Sequence, residues 1–447
     1  RRLGVFPGGF SLGLASAIAT DERLDEWAVI DALGVLVDRS LVTLDGMASP
    51  RYRLPQSTRE YACLKLDAAG ELATLQRRHA QALAALIDDA FEAFWVTPDA
   101  AWLATWAREL DNLRAALDWA TRHEPALALR LCGASGFLFL LLGLAPEGRK
   151  RFMALDAAAA SADASPELAR YWRERSRLHW GISNALMSEH AAKAVALSRT
   201  AGDARELYLA LRCAAGSAAV PAEAAAAMVA EMAQLERPDW PPRLRAQRLL
   251  AEIGVLKAAG KVTEMRGSVQ ALLALSRQAG LDSTVRAALS TLSALNLSLG
   301  DADAALRCAR EVTAGGALRR DNFVLQALAC TAQALLARGD CIAAHDAVAD
   351  FLATSRSRDW EWFDLYADLY ALLAAREGRV EAAARLLGHA DAASRRVGTR
   401  ELNMLQARAE TAAIVEAAFD AAQRERLQAE GARLDPELVC AATLGAE

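Results

Sequence analysis

Residues 295–312, LNLSLGDADAALRCAREV, hold an apolar helix end, a glycine, a polar residue and a second apolar helix. The same order recurs in LKAAGKVTEMRGSVQALLALS (256–276), LLARGDCIAAHDAVADFL (335–352) and LAAREGRVEAAARLLGHA (373–390). The turn glycines, Gly260, Gly300, Gly339 and Gly378, stand 40, 39 and 39 residues apart. Glycine ends a helix here because the left-handed cap conformation has no steric cost for it. Asp301 and Asp340 follow as N-caps of the second helix. Ala305, Ala344 and Ala383 lie five residues after their glycines, where a small side chain lets paired helices approach. Along the first helices Leu289, Leu292, Leu295 and Leu299 share a face, as do Leu325, Leu328 and Leu335. A single hairpin of this kind cannot bury its apolar face alone, so neighbours must stack.

This predicts an all-α chain built around an α-solenoid of tetratricopeptide-like hairpins with a period of about 39–40, longer than the ordinary repeat of about 34. HEAT-type repeats are the structural alternative. Earlier turns are expected near residues 143–146, at His190 and at 216–221, giving about six or seven hairpins between residues 110 and 395. The segment RPDWPP (237–242) makes the register irregular between 200 and 245.

In 447 residues there is room for about three domain-sized units. Hydrophobic residues make up 53% and charged residues 24%, a balance that excludes disorder. A formal charge of −5 argues against a surface that grips nucleic acid all over, yet allows a local basic patch. The seven cysteines form no C-x-x-C pair, which reads as reduced thiols in a cytoplasmic protein. The longest apolar run, LCGASGFLFLLLGLAP (131–146), is short of the roughly 20 residues that span a bilayer and reads as a core helix.

The front of the chain has a different rhythm. RRLGVF (1–6) reads as a first helix in a chain that continues upstream. GGFSLGLASAIAT (8–20) reads as the next, and Thr20, Asp21 and Glu22 as the start of another through WAVIDALGVLVDRSLV (27–42). LVTL (41–44) and RYRL (51–54) flank the turn DGMASP as a β-hairpin. Ser57 with Glu60 then reads as a capping box. Helix, helix, hairpin, helix is a winged-helix order. Arg39, Arg51, Arg53 and Arg59 are its candidate DNA contacts. Asp31, Asp38 and Asp45 dilute that charge, so the reading adopted is a domain that packs against other domains.

Catalytic motifs are sparse. GVLKAAGKV (254–262) has the wrong spacing for a Walker A loop and no strand before it, and no G-x-S-x-G or H-E-x-x-H occurs. Asp88 and Glu92 share a helix face and could hold Mg²⁺, as in an all-helical Mg²⁺-dependent enzyme, but such runs are usually solvated faces. Trp362, Tyr366 and Tyr370 fall four apart on one helical stripe and are the candidate ligand-binding residues, with packing between repeats as the competing reading. Trp102, Trp106, Leu110, Leu113 and Leu117 read as a core stripe.

RRLGVFPGGFSL, ALGVLVDRSLV, RYRLPQSTREYA and ELDNLRAALDWA resemble the region downstream of the NTPase in bacterial STAND-type transcriptional regulators, the predicted-ATPase relatives of LuxR- and AfsR-like activators. LLLGLAPEGRKRFMALDAA looks like that family's first repeat turn, and ARLLGHADAASRRVGT and AAQRERLQAEGARLDPELVCAA like its last helices. The resemblance implies a winged-helix coupling domain (1–70), a helical arm and first hairpin (71–165), superhelical repeats (166–395) and C-terminal capping helices (396–447). It implies a sensor and coupling region rather than an enzyme. Such a region has no cofactor of its own, and ATP and Mg²⁺ belong to an NTPase domain upstream. Its partners would be that domain and a small-molecule or protein inducer, with DNA reached only through a domain not present and no membrane involved. The P-loop is missing from this sequence, so no residue here inherits an ATP-binding role. A stand-alone tetratricopeptide interaction scaffold is the alternative.

Overall fold

The computed structural model describes residues 1–46, 50–314 and 322–445, and these are almost entirely helical. They divide into two compact units, one of Arg1–Leu138 with Lys150–Glu174, the other of Phe139–Arg149 with Arg175–Glu447.

The first unit opens on a single 3₁₀ turn, Arg2–Val5, rather than a full helix. Helices Leu12–Ala19 and Glu26–Asp38 follow. The cap of the second is Asp25, whose carboxylate accepts from the Ala28 N–H at 2.8 Å. Asp21 instead closes a tight turn by accepting from Arg23 and Leu24, so the expected start at residues 20–22 falls a turn early. The hairpin is present: strand Thr43–Asp45 pairs antiparallel with Arg51–Arg53, with Leu44 opposite Tyr52. Met47 to Ser49 of its turn lie outside the described residues. Phe10 exchanges two backbone hydrogen bonds with Tyr52, both 2.9 Å, as an isolated bridge on the outer edge of the hairpin. The next helix, Gln56–Ala68, starts from the extended backbone of Pro55 without a side-chain cap. Glu60 bonds to Gln56, not to the Ser57 backbone, so no capping box forms.

Helix Leu72–Val96 carries Leu75, Leu83, Ile87 and Phe94 inward. Phe94 stacks on Phe137 at 3.9 Å and meets Trp102 edge-on, and the Trp102 indole donates to the Ala90 carbonyl at 2.7 Å. The expected stripe from Trp102 to Leu117 is carried by two helices, Asp99–Trp106 and Leu110–His123, joined by a 3₁₀ turn. The apolar run 131–146 is also divided: helix Pro125–Leu141 ends, Gly143 turns at φ +69°, and helix Ala145–Met153 begins. No helix among the described residues is long and apolar enough to cross a membrane.

The second unit is the helical-repeat array. Gly260, Gly300, Gly339 and Gly378 take φ of +66°, +79°, +81° and +79°. At each, the N–H after the glycine bonds back five residues: Lys261 to Leu256, Asp301 to Asn296, Asp340 to Leu335 and Arg379 to Ala374. This Schellman closure satisfies the last helical carbonyls. Gly280, which the 40-residue spacing skips, makes the same closure through Leu281 to Ser276 and turns the chain between hairpins. Asp301 and Asp340 cap the following helices by accepting from Ala304 and Ala343. Ala305, Ala344 and Ala383 are fully buried. Leu289, Leu292 and Leu295 are buried as expected, whereas Leu299 is exposed because it is already the C-cap residue. His190 marks no turn; it is buried within helix Asn184–Ala201, whose end is set by Gly202 at φ +70°. Residues 216–221 do form a turn, before helix Ala222–Leu235.

Successive core clusters overlap along this array, one centred on Val269 and Leu295, the next on Leu306 and Cys330, the last on Phe351, Leu369 and Leu386. The array also folds back on itself. Asn184 donates to the Val397 carbonyl, Lys257 pairs with Glu401, and Gln333 and Asn403 exchange hydrogen bonds. Helices Leu402–Ala418, Ala421–Gly431 and Pro436–Leu444 complete the unit.

Candidate functional site

After helix Cys341–Arg356 the repeat rhythm changes, and residues 357–363 read SRDWEWF in place of a glycine turn. Asp359, Trp360 and Trp362 take φ of 57°, 61° and 56°. Bulky residues seldom occupy the left-handed region, and each such residue costs on the order of 1–3 kcal/mol unless its surroundings fix it. The surroundings here do. The Trp360 N–H donates to the Ser355 carbonyl at 2.9 Å, and the Ser355 hydroxyl to the Glu361 carbonyl at 2.8 Å. The Tyr370 hydroxyl donates to the Phe363 carbonyl at 2.8 Å. Arg149 grips the Glu361 carboxylate with two bonds of 3.0 and 2.6 Å, and Asn322 adds a third. The Trp362 indole donates to the Trp180 carbonyl at 3.2 Å and lies against Gly181. A Cβ on Gly181 would stand 2.5 Å from Trp362 Nε1, and φ there is +73°, so glycine is required on both counts.

Beside this turn lies a cavity of about 400 Å³. Its walls come from Arg149, Gly181 and Ile182, from Asp359, Trp360, Trp362, Phe363 and Asp364, from His389, Arg396 and Val397, and from Leu434 and Pro436. The charges are matched in pairs: Arg149 with Glu361, and Arg396 with both oxygens of Asp364 at 2.7 and 2.9 Å. His389 differs. It is 2% exposed, and neither ring nitrogen has a hydrogen-bond partner; Nε2 is 3.7 Å from Asp364. Burial lowers its pKa and favours the neutral imidazole.

Of the three candidate ligand residues, Trp362 reaches this cavity while Tyr366 and Tyr370 lie behind it in the core, against Phe351. They do not form one helical stripe, because Trp362 sits in the turn, Tyr366 ends the 3₁₀ turn Asp364–Tyr366, and Tyr370 is in helix Ala367–Arg376. Burial raises both phenols well above the usual range. His389, Arg149, Arg396 and Gly181 were not singled out in sequence. The one available signal was the missing glycine in SRDWEWF.

The basic residues near the hairpin are scattered. Arg39 and Arg53 are exposed and Arg59 is half-buried. Arg51 turns inward, pairing with Glu109 and donating to the Gly9 carbonyl. Glu109 is 4% exposed, so removing its arginine leaves a buried carboxylate short of a partner. Arg51→Ala is therefore expected to lower the stability of the first unit by about 3 kcal/mol, read as the urea midpoint. An unchanged midpoint would show that the pair is not structural. Asp88 is bound by Arg130 at 2.6 Å and approached by Arg170 at 3.5 Å, and Glu92 is engaged as well. Among the described residues no three His, Cys, Asp or Glu side chains gather as a metal site.

No family model matches the chain. Over 255 residues it is 33% identical to proteins of Mycobacterium bovis and of two Mycobacterium tuberculosis strains that carry the provisional name HTH-type transcriptional regulator. The match takes in 53% of this chain and 28% of each relative, so the chain spans little more than a quarter of their length. Among solved structures, a Rap protein complexed with competence and sporulation factor superposes with a TM-score of 0.50 at 14% identity, covering 78% of this chain and 97% of that one. The chain is thus distantly homologous to named transcriptional regulators and has the all-α helical-repeat fold of the Rap protein.

Proposed function

We propose that this chain is the sensor and coupling region of a signal-responsive, cytoplasmic transcriptional regulator. The repeat array binds a small-molecule or protein inducer. The winged-helix-like segment relays that event to an NTPase switch elsewhere in the full-length protein, where ATP and Mg²⁺ are used. DNA is read by a further domain, and this region has no enzymatic activity of its own. The observation that carries the reading is the folded-back array with a cavity where residues of distant repeats meet, in a chain homologous to named regulators. Such an arrangement can change state if a ligand prefers one packing over the other. The Rap protein's complex with competence and sporulation factor supports an array that holds a partner.

Two measurements test it. Residues 1–447 alone should show no ATP binding by calorimetry with millimolar Mg-ATP. In the full-length regulator, Arg149→Ala, which frees Glu361, should change nucleotide exchange at least threefold. Exchange unaltered by that substitution would overturn the proposal in favour of a plain interaction scaffold, and ATP binding by the isolated chain would overturn it outright.

A further inference from the structure

The cavity beside the 359–363 turn joins distant parts of the array, since Arg149 and Ile182 face it from the start of the second unit and His389 and Val397 from much later in the chain. What it offers a ligand follows from what is already used. Arg149 is held by Glu361, Arg396 by Asp364, and Asp359 is engaged as well. A charged ligand would have to break a bidentate, charge-assisted pair to find a counter-charge, which is costly. The unused polar group is the His389 imidazole, with one donor and one acceptor both unpaired. Around it stand flat apolar surfaces, Trp360 and Phe363, whose rings meet edge to face at 5.1 Å. The volume, about 400 Å³, lies at the small end of the roughly 300–1,000 Å³ of ligand pockets.

We propose that this cavity binds an uncharged aromatic small molecule bearing a carboxamide-type group, its ring against Trp360 and Phe363 and its amide on the His389 imidazole. In the neutral imidazole one nitrogen donates and the other accepts, and an amide, which carries both a donor and an acceptor, can meet whichever nitrogen faces the cavity. Filling the cavity ties Ile182 to helix Val380–Val397 and favours the folded-back array. The inference rests on the sensor reading above and gives that sensor its ligand class.

Titration calorimetry of residues 1–447 with three probes tests it: neutral indole-3-carboxamide, anionic indole-3-carboxylate and cationic tryptamine. The carboxamide should bind, and both charged probes at least tenfold more weakly. His389→Leu should weaken the carboxamide at least tenfold, whereas His389→Gln, which keeps a donor and an acceptor, should stay within threefold. If His389→Leu does not fold, Trp360→Ala on the half-buried rim must weaken binding at least threefold. Absence of carboxamide binding at millimolar concentration overturns the proposal. So does a charged probe that binds as tightly, or unchanged affinity in folded His389→Leu or in Trp360→Ala. Failure of all three probes, with Arg149→Ala still altering exchange in the full-length regulator, removes the ligand class and leaves the sensor reading standing. Carboxamide binding without any effect of Arg149→Ala does the reverse.

Discussion

Gly388→Ala should destabilise the second unit by about 3 kcal/mol or more, at the upper end of what overpacking costs. Gly388 lies in helix Val380–Val397, where its missing side chain lets the backbone of Gln428 press directly against it. The contact is reciprocal: Gly431, at the end of helix Ala421–Gly431, takes the backbone of Arg385 in the same way. A methyl group at either position would overlap main-chain atoms, and no rotamer change can make room, so the helices must separate. Arg385 and Glu430 flank the crossing at 3.1 Å and would part with it. Gly431→Ala should behave alike. Gly267 supplies the control, since it sits inside helix Val262–Gln278 with open space where a Cβ would go. Gly267→Ala should therefore be stabilising, by about 0.5–1 kcal/mol, through helix propensity alone. Urea midpoints for the three variants decide the matter. Equal midpoints for Gly388→Ala and Gly267→Ala would sink the crossing as a structural element.

The second large effect is on acid stability. His79 is 3% exposed on helix Leu72–Val96, its ring edge-on to Phe6 at 5.2 Å, and its Nε2 has no partner. Burial lowers its pKa from 6.5 to about 4. The folded protein therefore binds this proton less readily than the unfolded chain. Above about pH 6.5 both states are neutral there and stability is unaffected. Between about pH 6.5 and 4 the unfolded state gains the proton first, so stability falls with pH, by up to about 3 kcal/mol in all. Below pH 4 this group contributes no further loss. ¹³C-histidine NMR should give His79 a midpoint near 4, and the acid loss should shrink by that amount in His79→Leu. A midpoint near 6.5 would refute the assignment. His190, lowered to about 3 chiefly by burial, acts in the same direction in the second unit.

The two units were legible in sequence to different degrees. In the array, the glycine and the aspartate after it act through their own backbone and the next turn, so Gly300–Asp301 and Gly339–Asp340 could be placed without tertiary knowledge. The hairpin at Thr43–Asp45 and Arg51–Arg53 was legible for the same reason: alternation and turn residues are local. Helix starts in the first unit were read less well. Asp21 reads as a cap on paper, but its carboxylate is tied to Arg2 and to its own turn, and Asp25 caps the helix instead. Arg51 looked like surface charge until Glu109, 58 residues away, drew it inward.

The sequence by itself determined the repeat, its period and the small residues that let hairpins stack, because a helix stop and a pleated edge are each decided within a few residues. The cavity, the left-handed strain at Trp360 and Trp362 and the lone imidazole of His389 were decided by the tertiary structure alone. Arg149 and Glu361 are 212 residues apart, and Trp180 and Trp362 are 182 apart. No local pattern can announce such a meeting, since which surfaces touch depends on the small rotation from each hairpin to the next, summed along the whole array.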